Sequence, residues 1–371
     1  MNILVVEPWY SGSHRHFIDG LRHHSSHTYT FCTLPGRYWR WRMDAAAVSL
    51  AEQARTALER HGMPDVILAS SLLDLPTFLG LIRPALANTP VVLYFHENQL
   101  TYPRPDDAPA PRTYALMNYR SALAADACWF NSSFHRSSFL NALPPFLQRF
   151  PEASPTPRLD TIAQKSAVHH LGINLKRFGP LSARPANSPP VLLWNQRWAF
   201  DKNPEGLLHL VTALDGRGLD FHLIITGRAA QQPPEAIEAL RTRFADRLLH
   251  IGFVEDADVY AELLHRADIV LSTAHHEFFG IAVMEAIHCG CHPVLPNRLS
   301  YPELIPNRLH QPLLHAPTLY DTSTDAIDLC AALLQGDARP LPLGTLRTIS
   351  TPYDWTNRHA SLDAAFEDVV C

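Results

Sequence analysis

The sequence predicts an α/β protein of two doubly wound, Rossmann-like domains facing each other across a cleft. Three observations carry that expectation. Short runs rich in β-branched and aromatic residues alternate with segments of helical spacing, which means a parallel sheet covered by helices on both faces. Midway, KRFGPLSARPANSPP (176–190) has no periodicity, and the alternation restarts after it. With 371 residues the chain is long enough to bury two cores of ordinary size.

Taken in order, the first domain (1–175) opens on the strand ILVV (3–6), the turn SGSH and the helical HFIDGLRHH. TYTFCTL (28–34) is the second strand, and AAAVSLAEQARTALERHG is a helix capped by Gly62. VILAS (66–70), VVLYFHE (91–97) and ACWFNS (127–132) are further strands, and DDAPAPR (106–112) reads as a mobile loop. Past the 176–190 linker, the second domain (191–354) has strands at VLLWNQ (191–196), FHLIITG (221–227), LLHIGFV (248–254), DIVLST (268–273) and HPVLPN (292–297). The tail WTNRHASLDAAFEDVV (355–370) has helical spacing and is expected to fold back onto the first domain. Facing doubly wound domains put the C-terminal ends of their strands, and hence their ligand sites, at the shared cleft.

A hydrophobic content of 46% and a charged content of 18% are those of a globular protein. No run approaches the ~18 apolar residues that would span a bilayer. The N-terminal MNILVVEPWYSGSH reads as a strand rather than a secretory leader. The expectation is a cytoplasmic protein without a membrane partner. Six cysteines are scattered along the chain, which is no disulfide framework. The net charge of −5 argues against a surface made throughout for nucleic acid. It is unevenly spread, with 15 Lys+Arg against 13 Asp+Glu in residues 1–175 and 16 against 23 in residues 176–371. A polyanionic partner should therefore meet the N-terminal half.

The densest chemistry lies in HHEFFGIAVMEAIHCGCHPV (275–294). A strand-to-helix turn beginning at a glycine offers bare backbone N–H groups and a positive dipole end, which together hold phosphate. Glu277 sits in the turn and Glu285 about one and a half turns into the helix. Both carboxylates can then reach one extended ligand, Glu285 on a ribose diol and Glu277 on a second sugar. The structural alternative has Glu277 capping the helix and Glu285 on its solvated side. The block resembles the Glu-x7-Glu signature of family-four retaining glycosyltransferases. The resemblance implies the GT-B fold and a nucleotide-sugar donor bound by Glu277, Phe279, Gly280, Ile281 and Glu285. Developing charge on a pyrophosphate leaving group needs positive charge beside it. In WNQRWAFDKNPE (194–205), Arg197 and Lys202 match that family's donor-phosphate Arg and Lys.

Two rival signals are metal-like. Asp256-Ala257-Asp258 fits a metal-binding Asp-x-Asp pattern, but it stands where acidic residues favour a helix N-terminus. Cys289 and Cys291 in HCGCH lack the second ligand pair of a structural zinc site and read as small core residues beside a glycine turn. No metal and no cofactor is expected.

In the first domain, EPWYSGSHRHF (7–17) carries Gly12, Ser13 and His14 on a small-residue turn that resembles the family's loop near the donor phosphates. His96, in FHENQLTYP, resembles the family's first-domain histidine near the transferred sugar, and His135 competes for that role. PGRYWRWRM (35–43) interleaves tryptophan and arginine. If extended, it points Trp39 and Trp41 one way and Arg40 and Arg42 the other, which suits either an RNA contact or a packed edge.

EPWYSGSHRHF, LPGRYWRWRM, YFHENQLTYP and HEFFGIAVMEA together resemble the tRNA-queuosine alpha-mannosyltransferase family over most of the chain. That resemblance implies transfer of mannose from GDP-mannose, with retention, to the cyclopentenediol of queuosine in the anticodon loop of aspartate tRNA. Glu277, His96, Arg197 and Lys202 would carry the chemistry. His14, Trp39, Arg40, Trp41, Arg42, Asn98 and Gln99 would meet the acceptor. A small or lipid-linked acceptor, an epimerase, or a non-catalytic nucleotide- or RNA-binding module remain open alternatives.

Overall fold

In the computed structural model, which describes residues 1–83, 85–103, 112–150, 156–179, 187–229, 232–310 and 316–370, the chain divides into two compact units. Unit 1 comprises Met1–Ile173 and Trp355–Cys371, and unit 2 comprises Asn174–Asp354. Most of the loop expected at 106–112 and residues 180–186 of the expected linker lie outside the described residues.

Unit 1 holds a six-stranded parallel sheet of β1 (Asn2–Tyr10), β2 (Thr28–Pro35), β3 (Val66–Ser70), β4 (Val91–Phe95), β5 (Ala127–Phe130) and β6 (Ser166–Val168), in the order β2-β1-β3-β4-β5-β6. Every residue of β3 and β4 is buried, which is why these strands are continuous apolar runs rather than alternating ones. Unit 2 repeats the plan with β7 (Val191–Asn195), β8 (His222–Thr226), β9 (Leu248–Gly252), β10 (Ile269–Leu271), β11 (His292–Pro296) and β12 (Leu319–Tyr320). Its order is β12-β11-β10-β7-β8-β9. In each sheet the strand order reverses once, at β1/β3 and at β7/β10, and doubly wound sheets bind ligands beyond the strand C-termini at such points.

The ten strands expected from the sequence are all present. The edge strands β6 and β12, three and two residues long, carry too little pattern to be read. One expectation is overturned: the Trp-Arg segment is not extended but forms the first turn of the helix Trp39–His61. The 3.6-residue periodicity of AAAVSLAEQARTALERH runs back through it, burying Met43, Ala46, Ala47 and Leu50 on one face.

The C-terminal helix Trp355–Val370 belongs to unit 1. The fully buried Trp355 ring fills a notch left by two glycines, since a Cβ on Gly20 would stand 1.9 Å from its Cε2 and one on Gly172 would stand 2.2 Å from its Cδ2. Further along, Asp363 accepts from the Ser25 hydroxyl (2.5 Å), the Ser26 amide (2.8 Å) and the Ser26 hydroxyl (2.8 Å). Phe366 meets the Trp129 ring at 4.7 Å.

Candidate active site

In unit 2 the loops after β7 and β10 meet at the switch point. After Asn195 the chain makes the 3₁₀ turn Phe200–Lys202 and then takes a left-handed conformation at Asn203 (φ 55°). The Asn203 side chain caps the helix Pro204–Gly216 by accepting from the Gly206 amide at 2.9 Å. Its amide donates to Thr273 O at 3.1 Å, which ties this loop to the one after β10. Lys202, 7% exposed, is thereby aimed across the gap. Its Nζ donates to His276 O (2.8 Å) and pairs with Glu277 Oε2 (3.1 Å) and Asp201 Oδ2 (3.1 Å). Burial pushes the Asp201 carboxyl up, but Lys202 and Arg197 outweigh it and hold Asp201 below its ordinary range. Arg197 pairs with Asp201 at 3.3 Å while its side chain stays 65% exposed. One cation is buried and fixed, and the other stands in solvent.

Gly280 (φ 103°) turns the chain from Glu277 into the helix Ile281–His288, a backbone that only glycine adopts without strain. Phe279 is buried and packs edge-on against Tyr353 at 5.4 Å, so it supports the turn from behind. Glu285 is 4% exposed and does not lie on a solvated face. Arg177 donates to its Oε1 at 2.7 Å and the Tyr260 hydroxyl to its Oε2 at 2.7 Å. Arg177 lies inside the stretch read as a linker; it stands on the 3₁₀ turn Leu175–Phe178, part of unit 2. Arg177, Tyr260 and Asp201 are site residues the sequence did not disclose, because each acts through contacts between distant segments or through burial.

Asp256 caps the helix Ala257–Arg266, its Oδ1 accepting from the amides of Asp258 (2.8 Å) and Val259 (3.0 Å). Cys289 and Cys291 are buried, and the Cys291 thiol donates to the carbonyls of Leu264 and Ala267.

In unit 1, Gly12 (φ 53°) and Ser13 open the helix Gly12–His24. His14, expected on the acceptor side, turns inward and is 2% exposed. Its Nδ1 meets Glu7 Oε2 at 3.0 Å, and its ring lies over that of His96 with centroids 4.1 Å apart. Burial alone would push His14 down, but Glu7 and, more weakly, Glu97 raise it to about 10. Burial, with the charge of His14 and His135 added, holds His96 well below its ordinary value, so it stays neutral. Glu7, His14 and His96 stand close enough together to be considered as metal ligands, but a cation there would have to displace the proton that Glu7 and Glu97 hold on His14. His135 is fully buried, with Nδ1 2.8 Å from Asn131 Oδ1 and its ring edge-on to Phe130, so it serves the core. Asn98, also fully buried, spends its Oδ1 on Leu100 N, Thr101 N and Thr101 Oγ1; it shapes its own loop and is not a surface contact. Gln99, partly exposed, donates its backbone N–H to Asn118 Oδ1 at 2.7 Å.

The Trp-Arg turn divides by residue. Trp39 packs on Tyr114 (5.6 Å) beside Met43, Leu72 and Met117. Tyr38 and Trp41 are 81% and 64% exposed, large values for aromatic rings. Arg40 lies over the Trp39 ring at 5.4 Å, and Arg42 Nε donates to Pro35 O at 3.2 Å.

A family model for the tRNA-queuosine alpha-mannosyltransferase N-terminal region matches residues 2–173, and one for glycosyl transferases group 1 matches residues 182–330. The tRNA-queuosine alpha-mannosyltransferase of Drosophila melanogaster is 36% identical over 335 residues, covering 87% of this chain and 84% of the fly protein. A GDP-mannose-dependent alpha-(1-6)-phosphatidylinositol dimannoside mannosyltransferase of Mycobacterium tuberculosis is 28% identical over 147 residues, 36% of each chain. The structure of a sucrose-phosphate synthase from Thermosynechococcus elongatus superposes with a TM-score of 0.74 at 13% identity, covering 99% of this chain and 98% of that one, which shows the GT-B fold. With both family models and a relative aligned along most of its length, the chain is a glycosyltransferase that belongs to the tRNA-queuosine alpha-mannosyltransferase family.

Proposed function

We propose that the protein transfers mannose from GDP-mannose, with retention of configuration, to the queuosine cyclopentenediol at the wobble position of aspartate tRNA. The observation that carries this reading is the meeting of Lys202, Glu277 and the Gly280 helix start at the β7/β10 switch point. Glu285 lies further along that helix. The donor pyrophosphate rests on the helix N-terminus and on Lys202 and Arg197. Glu285 takes the ribose, and Glu277 orients the mannose. A queuosine hydroxyl attacks from the face the phosphate is leaving, and the departing phosphate accepts its proton. The two cations stabilise the charge that develops on that phosphate, so no divalent metal is needed in that role. His96, kept neutral, binds outer hydroxyls of the sugar as a hydrogen-bonding partner without adding charge. Tyr38 and Trp41 offer exposed rings on which RNA bases stack, in the half of the chain with the more basic balance.

The test is transfer of label from GDP-[14C]mannose to total tRNA from queuosine-containing and queuosine-deficient cells, without added metal. Label in the first RNA alone is the expected result. Donor hydrolysis with neither RNA labelled would remove the tRNA acceptor. Free sugar isomers formed without RNA would point to an epimerase. Lys202→Ala should lower kcat by about 10²–10³-fold, the usual cost of removing one group that stabilises transition-state charge.

A further inference from the structure

A buried hydrogen-bond chain in unit 2 ends on Glu285, and its direction is fixed at every step. The Thr226 hydroxyl, at the end of β8, donates to Asn195 Oδ1 at 2.5 Å. That contact orients the Asn195 amide, at the end of β7, so that its Nδ2 donates to the Tyr260 hydroxyl oxygen (2.7 Å) and to Ala282 O (3.2 Å). The Tyr260 hydroxyl, already accepting from Asn195, directs its own proton to Glu285 Oε2 at 2.7 Å. From the other side Arg177 donates to Oε1 at 2.7 Å. The guanidinium is itself placed by rings, with its Cζ 4.6 Å from the Phe178 centroid and 5.6 Å from that of Tyr260. A carboxylate has about four acceptor sites, so two donors fix its plane and leave the others for a ligand.

We infer that Arg177 and Tyr260 are positioning residues for Glu285, together holding its carboxylate in the orientation that recognises the ribose diol of the nucleotide. This rests on the assignment of Glu285 to the ribose. A preorganised carboxylate accepts two ribose hydroxyls without first losing side-chain freedom, whereas a free one in this buried place would turn to any donor within reach.

The experiment measures binding of GDP and of 2′,3′-dideoxy-GDP to the full chain by calorimetry, with no acceptor present. Wild type should bind the dideoxy nucleotide about tenfold or more weakly, the effect of losing charge-assisted hydrogen bonds. Glu285→Ala should bring that ratio near one. Arg177→Ala and Tyr260→Phe should each shrink it severalfold, with Arg177→Lys restoring part. A purely structural role for the pair would lower Tm yet leave the ratio intact. If Glu285→Ala removes the discrimination while Arg177→Ala and Tyr260→Phe keep it whole, the positioning role is overturned. Tighter GDP binding by Arg177→Ala also overturns it, since Arg177 would then compete with the ribose. If Glu285→Ala keeps the wild-type ratio, the ribose assignment fails, and the inference falls with it. Should Arg177→Ala not fold, the near-isosteric Tyr260→Phe carries the test.

Discussion

His14 shows how one buried residue sets a pH response. Its value rises in the folded chain because Glu7 and Glu97 outweigh the effect of burial. The folded state therefore keeps a proton that the unfolded chain loses, and the stability this pair supplies is present below about 6.5 and lost as pH rises toward about 10. Burial depresses His96 and His169, so these two cost stability as pH falls below their ordinary range. Thermal midpoints should peak near pH 6.5–7, and Glu7→Gln should flatten the alkaline side, as a pH series of melting curves would show. At the same scale, the two tryptophans of the Trp-Arg turn separate. Trp41→Ala should weaken tRNA binding and leave donor KM unchanged, whereas Trp39→Ala should lower Tm through lost packing on Tyr114; filter binding and melting curves on both variants check this. Glu277, Glu285 and Lys202 were legible because each lies in a short contiguous motif. Arg177 was not, since its partner Glu285 is 108 residues away and nothing local marks the pair.

At the scale of elements, two glycine positions decide geometry. A side chain at Gly280 would be strained by φ 103° and would bring Cβ to 3.3 Å from Tyr301 Cε1 and 3.6 Å from Glu277 Cγ. Gly280→Ala should cost about 1–3 kcal/mol and raise donor KM, read by denaturant melts and steady-state kinetics. Gly172→Ala would drive a methyl into the Trp355 ring. The C-terminal helix should then be shed, costing about 1–3 kcal/mol or more and exposing the segment after 355 to limited proteolysis. Strand and helix positions were readable wherever burial on both faces gave a continuous apolar run or burial on one face imposed a period. The Trp-Arg segment misled because four residues fit either period, and the apolar face of the helix behind them decided.

At the scale of the whole molecule, unit 2 is one continuous stretch with its own core, while unit 1 closes only when residues from 355 onward return to it. A protein of residues 174–354 should therefore fold and bind GDP without transferring sugar, and calorimetry on that fragment tests it. By itself the sequence determined the two parallel sheets and the short motifs that carry Lys202, Glu277 and Glu285, because periodicity and motif chemistry act over a few residues. Tertiary structure alone decided which residues stand behind those motifs. Arg177 and Tyr260 on Glu285, Glu97 beside His14, and the glycine notch for Trp355 are contacts between separate segments of the chain, and Glu7, only seven residues from His14, meets it across a strand-to-helix turn. Their energetics come from burial and from charges brought together by folding, which no local pattern records.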